Sequence, residues 1–268
     1  MSPVPYVWYK FDTLSSTKVS NSGSAGASLD ATLNNGASVI SHDSPTGGTC
    51  LNLTNTSGKI SKDPTGQYLS IPPFAIGEPF SCSCWFKKAD AKELSAKIFD
   101  FSVSVVDKLL ALSFVNYTGK LGLQIEKKDK NNKSFSKTYD FSQTNYCDDK
   151  WHHIAVVNEK NSLIAYMDNV KVFETMTFVP LENAQRVMNY IGRSSSPITA
   201  YATIQMDDFR LYTTALNSKD IATLFKYKRK GSFSSAVSDK KMIGVWIAIA
   251  VVVVLIIIYL FRPKKKAE

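Results

Sequence analysis

Phe80-Ser-Cys-Ser-Cys-Trp-Phe86 alternates large or sulfur-containing side chains with serine. In a β-strand, successive side chains point to opposite faces, so this pattern places Cys82 and Cys84 on one face beside the two phenylalanines. Thiols in that position are expected to be small buried apolar groups rather than zinc or redox ligands. The other cysteines, Cys50 and Cys147, complete neither a dense disulfide framework nor a metal-binding spacing.

Similar short segments rich in β-formers lie on both sides of this stretch, and turn residues separate them. Strands are predicted at 5–11, 50–53, 67–71, 80–87, 98–103, 109–115, 121–126, 134–141, 151–157, 163–167, 170–173, 187–191 and 203–212. Residues 12–36 lack periodicity and are expected to form a long loop. Asp168-Asn169 is a type I′ turn signal, and a helix is predicted after the N-cap Asn217. Strands without βαβ alternation indicate an antiparallel all-β sandwich or barrel.

Several motifs, in order, resemble the laminin-G-like, concanavalin A-like jelly-roll superfamily, in particular its pentraxin-related branch. They are Trp8-Tyr-Lys-Phe-Asp12, Gly48-Thr-Cys-Leu-Asn-Leu53, Tyr68-Leu-Ser-Ile71, Phe80-Ser-Cys-Ser-Cys-Trp-Phe86, Asp149-Lys-Trp-His-His-Ile-Ala-Val156, Ala165-Tyr-Met-Asp168, Tyr190-Ile-Gly-Arg193 and Met206-Asp-Asp-Phe-Arg-Leu-Tyr-Thr-Thr-Ala-Leu216. Asn169 stands where the family usually has glycine. The resemblance covers about residues 5–226 and implies two curved antiparallel sheets packed face to face, with one short helix.

The resemblance also implies structural roles for residues that look reactive. His152 and His153 lie on a strand where the family uses them in packing, and a third histidine, His42, is too few for a histidine-rich metal site. Asp207 and Asp208 are expected to stabilise their strand and the chain after it. Calcium is the alternative at these two aspartates, because calcium takes several oxygen ligands. No other cofactor is expected.

Residues 242–261 contain no charged side chain. A helix of about 20 apolar residues spans the ~30 Å hydrocarbon core of a bilayer. This segment is therefore predicted to be a C-terminal transmembrane α-helix. Basic residues and aromatic residues are expected at its two membrane interfaces. They are Lys240, Lys241, Trp246, Tyr259, Arg262 and Lys264.

This interpretation divides the chain into a sandwich at 1–226, a basic polar stalk at 227–241, the transmembrane helix at 242–261 and a basic tail at 262–268. The net charge of +9 is concentrated around the anchor, with Lys226, Lys228, Arg229, Lys230, Lys240 and Lys241 just ahead of it. Juxtamembrane lysine and arginine attract anionic headgroups. The expected partner of this charge is therefore a lipid bilayer and not nucleic acid.

The sequence does not indicate an enzyme. Glycoside hydrolases of the resembling superfamily carry a Glu-x-Asp-x-x-Glu motif that supplies the acid and the nucleophile. No two glutamates of this chain stand in that pattern, and neither a Gly-x-Ser-x-Gly motif nor a phosphate-binding glycine-rich loop occurs. A membrane-bound glycoside hydrolase is kept as the least favoured function.

The N-terminus shows no secretory signal pattern, and six basic residues precede 242–261 whereas four follow it. These features predict a single-pass, tail-anchored protein whose sandwich faces the cytosol. The expected function is a non-catalytic, membrane-anchored binding or structural protein that contacts a protein neighbour. A virion membrane or minor capsid component of a large DNA virus, with a capsid or coat protein as partner, fits this arrangement.

The alternative is a cell-surface lectin or adhesion protein that binds carbohydrate through exposed aromatic side chains such as Tyr117 and Tyr201. Four sequons, at Asn52, Asn55, Asn116 and Asn132, would be used only if the domain entered a secretory lumen.

Overall fold

The computed structural model describes residues 3–12, 14–41, 44–56, 58–105, 107–128, 131, 133–159 and 162–229. The chain divides into two units, Met1–Lys228 and Arg229–Glu268. The second unit lies outside the described residues apart from Arg229, so the predicted anchor at 242–261 and the tail lie outside them too. Within the part that is described, no helix has the length and apolarity needed to cross a bilayer.

The first unit consists of short strands and one α-helix among its described residues. The strands are β1 (Val7–Tyr9), β2 (Leu14–Ser15), β3 (Lys18–Val19), β4 (Ala31–Asn34), β5 (Ser38–Ser41), β6 (Thr49–Leu53), β7 (Tyr68–Ile71), β8 (Phe74–Ile76), β9 (Phe80–Lys87), β10 (Lys97–Ser102), β11 (Leu110–Val115), β12 (Lys120–Lys128), β13 (Ser134–Asp140), β14 (Trp151–Glu159), β15 (Ser162–Met167), β16 (Val170–Thr175), β17 (Ala184–Arg186), β18 (Met188–Ile191) and β19 (Ile204–Tyr212). The helix α1 spans Ser218–Phe225.

Two large antiparallel sheets form the sandwich. Sheet A has the strand order β16-β15-β14-β9-β19-β6-β5, with β1 paired to β19. Sheet B has the order β13-β12-β11-β10-β18-β7-β4-β3-β2, and β8 and β17 form a separate two-stranded ribbon. The all-β sandwich expected from the sequence is therefore confirmed.

The core lies between the inner faces of the two sheets. Strand β9 contributes Phe80, Cys82, Cys84 and Phe86 to it, as its alternation predicts. Phe86 meets Phe114 of sheet B edge to face, with ring centroids 5.6 Å apart. Burial raises the pKa of the Cys82 thiol to about 12, so this thiol stays protonated and packs as an apolar group.

Helix α1 covers the outer face of sheet A. Its Ile221 and Leu224 pack on Ala155 and Val157, which point away from the main core. This second layer explains why the serines of β9 are buried although they face outward: Ser81 donates to the carbonyl of Thr214 at 2.9 Å and accepts from the Leu216 amide at 2.9 Å.

The expectation of a long loop at 12–36 was wrong. This stretch contains β2, β3, β4 and a 3-10 turn at Gly26–Leu29. Tertiary contacts order it, since the Tyr9 hydroxyl donates to the Leu29 carbonyl at 2.6 Å and the Asn21 amide donates to Asp30 at 2.7 Å. Such long-range contacts override weak local propensity and leave little trace in the sequence.

Candidate functional site

A polar groove lies on the outer face of sheet B, on the opposite side of the sandwich from α1. In the register of the sheet, Gln124 lies opposite Ala111, Ala111 opposite Asp100, and Asp100 opposite Tyr190. The neighbours of these residues along each strand, such as Phe99 and Leu123, point into the core. The groove has a volume of about 510 Å³, and the 194–196 loop forms part of its wall.

Asp100 is the most enclosed charged group in the groove, with no exposed surface. Its Oδ2 accepts hydrogen bonds from the Ser194 hydroxyl at 3.0 Å and from the Ser195 amide at 3.0 Å. Its Oδ1 is buried and has no hydrogen-bond partner in the described structure. Burial raises the pKa of Asp100 in spite of these hydrogen bonds. An unpartnered buried carboxylate oxygen is costly, and it is satisfied if a ligand donates to it.

Lys97 is the second buried charge in the groove, and 5% of its surface is exposed. Its Nζ donates one long hydrogen bond, 3.4 Å, to Oε1 of Gln124. Burial lowers the pKa of this ammonium, and the nearby Asp100 charge acts against that shift. An ammonium has three donors, so Lys97 keeps donor capacity for a ligand.

Lys97 and Asp100 both line the groove, but they do not form an ion pair. In the described structure the Lys97 ammonium nitrogen does not come within 4.0 Å of an Asp100 carboxylate oxygen. A hydroxyl group can accept from an ammonium and donate to a carboxylate at the same time. The pair is therefore suited to a ligand that carries hydroxyl groups.

The rim of the groove mixes polar and apolar groups. Desolvation, followed by the nearby charge of Asp107, raises the pKa of the Glu126 carboxyl, which lines one side. Three exposed apolar side chains directly adjoin groove-lining residues in the chain: Leu94, Tyr117 and Ile198. Tyr117 is 62% exposed, in agreement with the exposure expected for it. Its proposed contact with sugar stays a prediction.

Tyr201 does not have the exposure expected of a sugar-stacking residue. It is 1% exposed, and its hydroxyl donates to the Asp63 carbonyl at 2.8 Å. Its ring lies on the backbone of Gly66, where a Cβ atom would stand 2.2 Å from Cε2 of the ring. Both faces of the ring are thus unavailable to a ligand, and the expectation for Tyr201 was wrong.

Asp207 and Asp208 lie in a bulge of β19, where the register with β9 shifts and Asp208 adopts a φ of 53°. Asp207 accepts from the hydroxyls of Ser44 and Thr46. Asp208 accepts from Nε1 of Trp8 at 2.7 Å and pairs with Arg210 at 2.9 Å. These contacts hold β19 to β1 and to the segment before β6, so both carboxylates act as structural groups here. The stabilisation of the chain after β19, which the resemblance implies, stays a prediction.

Within the described ranges, no group of three or more histidine, cysteine, aspartate or glutamate side chains is arranged to hold a metal ion. At Asp207 and Asp208 the donors already present occupy the carboxylate oxygens that calcium would need. Calcium there remains an untested alternative, and the geometry gives it no support.

His152 and His153 pack as the resemblance implies. His152 bridges Asp168, at 2.8 Å, and Asp148, at 3.0 Å. His153 is 1% exposed, and its ring lies 5.2 Å from Trp85. Neither ring faces the groove.

The predicted membrane-interface residues Lys240, Lys241, Trp246, Tyr259, Arg262 and Lys264 lie outside the described residues. Lys97 and Asp100 were not predicted as site residues from the sequence. The available signal was a charged residue on either side of Ile98-Phe99 in a strand otherwise rich in apolar residues.

A family model for the concanavalin A-like lectin/glucanases superfamily matches residues 63–222, which is more than half of the chain. No curated protein matches the chain in sequence. Among solved structures, domain 4 of AbnA, an extracellular arabinanase from Geobacillus stearothermophilus crystallised with arabinotriose, is similar, with a TM-score of 0.60 and 17% identity over 84% of this chain and 99% of that one.

Two toxin domains are also similar. The binding domain of botulinum neurotoxin DC, in complex with rat synaptotagmin II, has a TM-score of 0.60 and 10% identity over 83% of this chain and 51% of that chain. The binding domain of Paraclostridial Mosquitocidal Protein 1 has a TM-score of 0.56 and 12% identity over 83% and 52%. The chain thus spans about half the length of these toxin domains.

At these identities the likeness to the solved structures is one of fold. The sheet topology and the match of the family model over residues 63–222 agree. The chain belongs to the concanavalin A-like lectin/glucanases superfamily.

Proposed function

We propose that this chain is a non-catalytic binding module, tethered to a membrane by residues 242–261, and that the groove of sheet B holds its ligand. The observation that carries the proposal is the pair formed by Lys97 and Asp100. Each is buried in the groove, and each retains hydrogen-bonding capacity that the described protein groups do not use.

A carbohydrate is the ligand class that the groove chemistry favours. Adjacent sugar hydroxyls can accept from Lys97 and donate to Oδ1 of Asp100, and the hydroxyls of Ser195 and Ser113 line the same groove. Tyr117 on the rim offers an aromatic surface of the kind that packs on sugars. The arabinotriose bound to the similar arabinanase domain supports this ligand class.

The absence of the Glu-x-Asp-x-x-Glu pattern from the sequence supports binding without hydrolysis. The similar toxin structures, which are binding domains, support the same conclusion. The apolar sequence of 242–261 supports the membrane tether. The excess of basic residues before this segment, six against four after it, supports a cytosol-facing sandwich. Membership of the pentraxin-related branch stays a prediction.

A protein neighbour, such as a capsid or coat protein of a virion, is the second candidate partner. Exposed apolar side chains at the groove favour it, because such side chains around a cleft are typical of protein-binding surfaces. Val105 lines the groove, and Leu94, Tyr117 and Ile198 neighbour lining residues in the chain. The complex of the similar neurotoxin domain with synaptotagmin also supports a protein partner.

The test is a glycan array followed by calorimetry with the full chain in nanodiscs, with and without calcium. We expect saturable, calcium-independent binding of a saccharide that Asp100→Asn and Lys97→Met each weaken by about 10-fold or more, the value of a hydrogen bond to a charged group. The matched controls are Lys171→Met and Glu174→Gln, which break an exposed ion pair on β16 of sheet A and leave the groove intact.

Three results would count against this proposal. If no saccharide binds while a purified coat or membrane protein does, the second candidate replaces the first. If the Asp100 and Lys97 variants bind as the wild type does, the groove is not the site. Release of reducing ends from the bound saccharide would show an enzyme.

A further inference from the structure

Helix α1 exposes a row of basic side chains on the side turned away from sheet A. Lys219, Thr223 and Lys226 are all exposed. Seven residues make about two helical turns, so the two lysines lie on the same face about 10 Å apart along the axis. Ile221 and Leu224 occupy the opposite face and pack on the sheet. The direction of the lysine row is therefore fixed by the packing of the helix.

The residues just after α1 are held firmly against the sandwich. The guanidinium of Arg210 lies 4.3 Å from the ring of Trp8 and 4.3 Å from the ring of Tyr227. Trp8 and Tyr227 themselves meet edge to face at 5.8 Å. The chain therefore leaves the first unit at a defined point, next to strand β1.

Two more lysines lie at this point. The ammonium of Lys10 is 4.0 Å from the centre of the Trp8 ring, and Lys228 donates to the carbonyl of Pro45. We call Lys10, Lys219, Lys226 and Lys228 together the exit face.

The acidic residues close to the exit face are already engaged. Asp208 pairs with Arg210, and Asp220 accepts from the backbone amide of Asn217. Among the described residues, no carboxylate lies within 4.0 Å of the ammonium of Lys219, Lys226 or Lys228. The positive charge of the exit face is thus available to an external anionic partner.

The sequence after Arg229 indicates which partner this is. Residues 230–241 separate the described unit from the apolar segment at 242–261 and contain Lys230, Lys240 and Lys241 against the single acid Asp239. Twelve residues span at most about 40 Å. The exit face therefore lies within reach of any bilayer that holds 242–261.

We infer that the exit face binds the anionic headgroups of that bilayer and thereby fixes the orientation of the sandwich. This inference rests on the membrane tether of the proposed function and adds a second, electrostatic contact to it. Lysines near an anionic surface each contribute to binding, about fivefold per residue. The stacking of Arg210 between Trp8 and Tyr227 positions the face without itself contacting lipid.

The orientation has a consequence for the groove. Helix α1 lies on the outer face of sheet A, and the groove lies on the outer face of sheet B. When the exit face sits on the headgroups, the groove is turned away from the bilayer and is open to a ligand from the surrounding solution.

The test is lysine acetylation, read by mass spectrometry, on the full chain in two kinds of nanodisc. One contains phosphatidylcholine alone and the other contains added phosphatidylserine. We expect Lys219, Lys226 and Lys228 to react several-fold more slowly in the anionic discs. Lys137, exposed on β13 at the far edge of sheet B, should react equally in both.

Charge reversal gives the second arm. In Lys219→Glu/Lys226→Glu the protection of Lys228 should be lost, whereas the matched control Lys133→Glu/Lys137→Glu should retain it. Equal reaction rates at the exit face in both discs, or equal protection of Lys137, would overturn the inference. A chain that does not incorporate into discs at all would contradict the tether itself, and the docking with it, whereas glycan binding by the groove would be unaffected.

Discussion

His152 and His153 are consecutive residues with opposite environments. The hydrogen bond that His152 donates to Asp168 raises the pKa of His152, and the nearby Asp148 raises it further, because both carboxylates favour the imidazolium. Burial lowers the pKa of His153 to about 4. The folded state therefore favours the protonated form of His152 and the neutral form of His153.

The two histidines should therefore affect the pH dependence of stability in opposite directions. The stabilisation by His152 is fully present below its unfolded pKa and is lost as the pH rises through its raised folded pKa. For His153 the unfolded chain binds the proton more readily, so stability falls as the pH drops from about 6.5 towards 4, by about 3 kcal/mol in all.

Urea unfolding from pH 8 to pH 4 checks this prediction in two variants. His153→Gln should flatten the loss of stability between pH 6.5 and 4, at the cost of lower stability at pH 8. His152→Gln should remove the gain on acidification from pH 8 to 6 and leave a steeper net loss. Parallel pH profiles for the wild type and both variants would contradict the prediction.

At the level of residues, the sequence predicted packing better than it predicted the site. The buried thiols of Cys82 and Cys84 follow from strand alternation alone. Lys97 and Asp100 could not be recognised together, because strict alternation places residues three apart on opposite faces of a strand. The β-bulge between Lys97 and Phe99, which brings both side chains into the groove, leaves no signal in the sequence. Asp100 is buried because the distant 194–196 loop folds over it, and no local pattern encodes that contact.

Helix α1 is the element whose beginning the sequence predicted most directly. Asn217 caps it, accepting from the amides of Lys219 at 2.9 Å and Asp220 at 3.1 Å, and Asp220 accepts in return from the Asn217 amide. Such a cap satisfies amides that would otherwise lack partners at the helix start.

Removing the cap should loosen the helix and its cover over sheet A. We expect Asn217→Ala to lower the free energy of unfolding by about 1 kcal/mol. The exposed neighbour Ser218→Ala is the matched control and should change it little. Because Phe225 stacks on Trp85 at 5.3 Å, tryptophan fluorescence during denaturation reports the loss directly. Equal stability of the two variants would show that the cap contributes nothing measurable.

Strand elements were predictable where β-branched or aromatic residues alternate with polar ones, as in β9, β14 and β19. The turn at Asp168-Asn169 was also predictable, and both residues have positive φ, 49° and 66°, as a type I′ turn requires. Strand β4, Ala-Thr-Leu-Asn, was missed because it is short and because alanine and asparagine are depleted in strands. Pairing with β7 and β3 places it in the sheet.

For the whole molecule, the sequons and the groove bear on the same question of topology. Nδ2 of Asn55 donates to the carbonyls of Gln67, at 3.1 Å, and Ala202, at 2.9 Å. An attached glycan would replace one of these two donor hydrogens. Asn116 lines the groove, and a glycan there would stand in the proposed ligand site. We therefore predict that the folded domain lies in a compartment in which Asn55 and Asn116 carry no glycan.

We expect the sandwich to lie on the cytosolic side of the membrane. After translation with microsomes, the full chain should resist carbonate extraction, carry no glycan and have its first 228 residues digested by added protease. Deleting 242–261 should release it from the membrane fraction. A consensus sequon added after Glu268 should be glycosylated and is the positive control for translocation of the tail. A protected, glycosylated sandwich would contradict this expectation. The groove would then lie on the luminal or extracellular side, and its saccharide ligand would be found there and not in the cytosol.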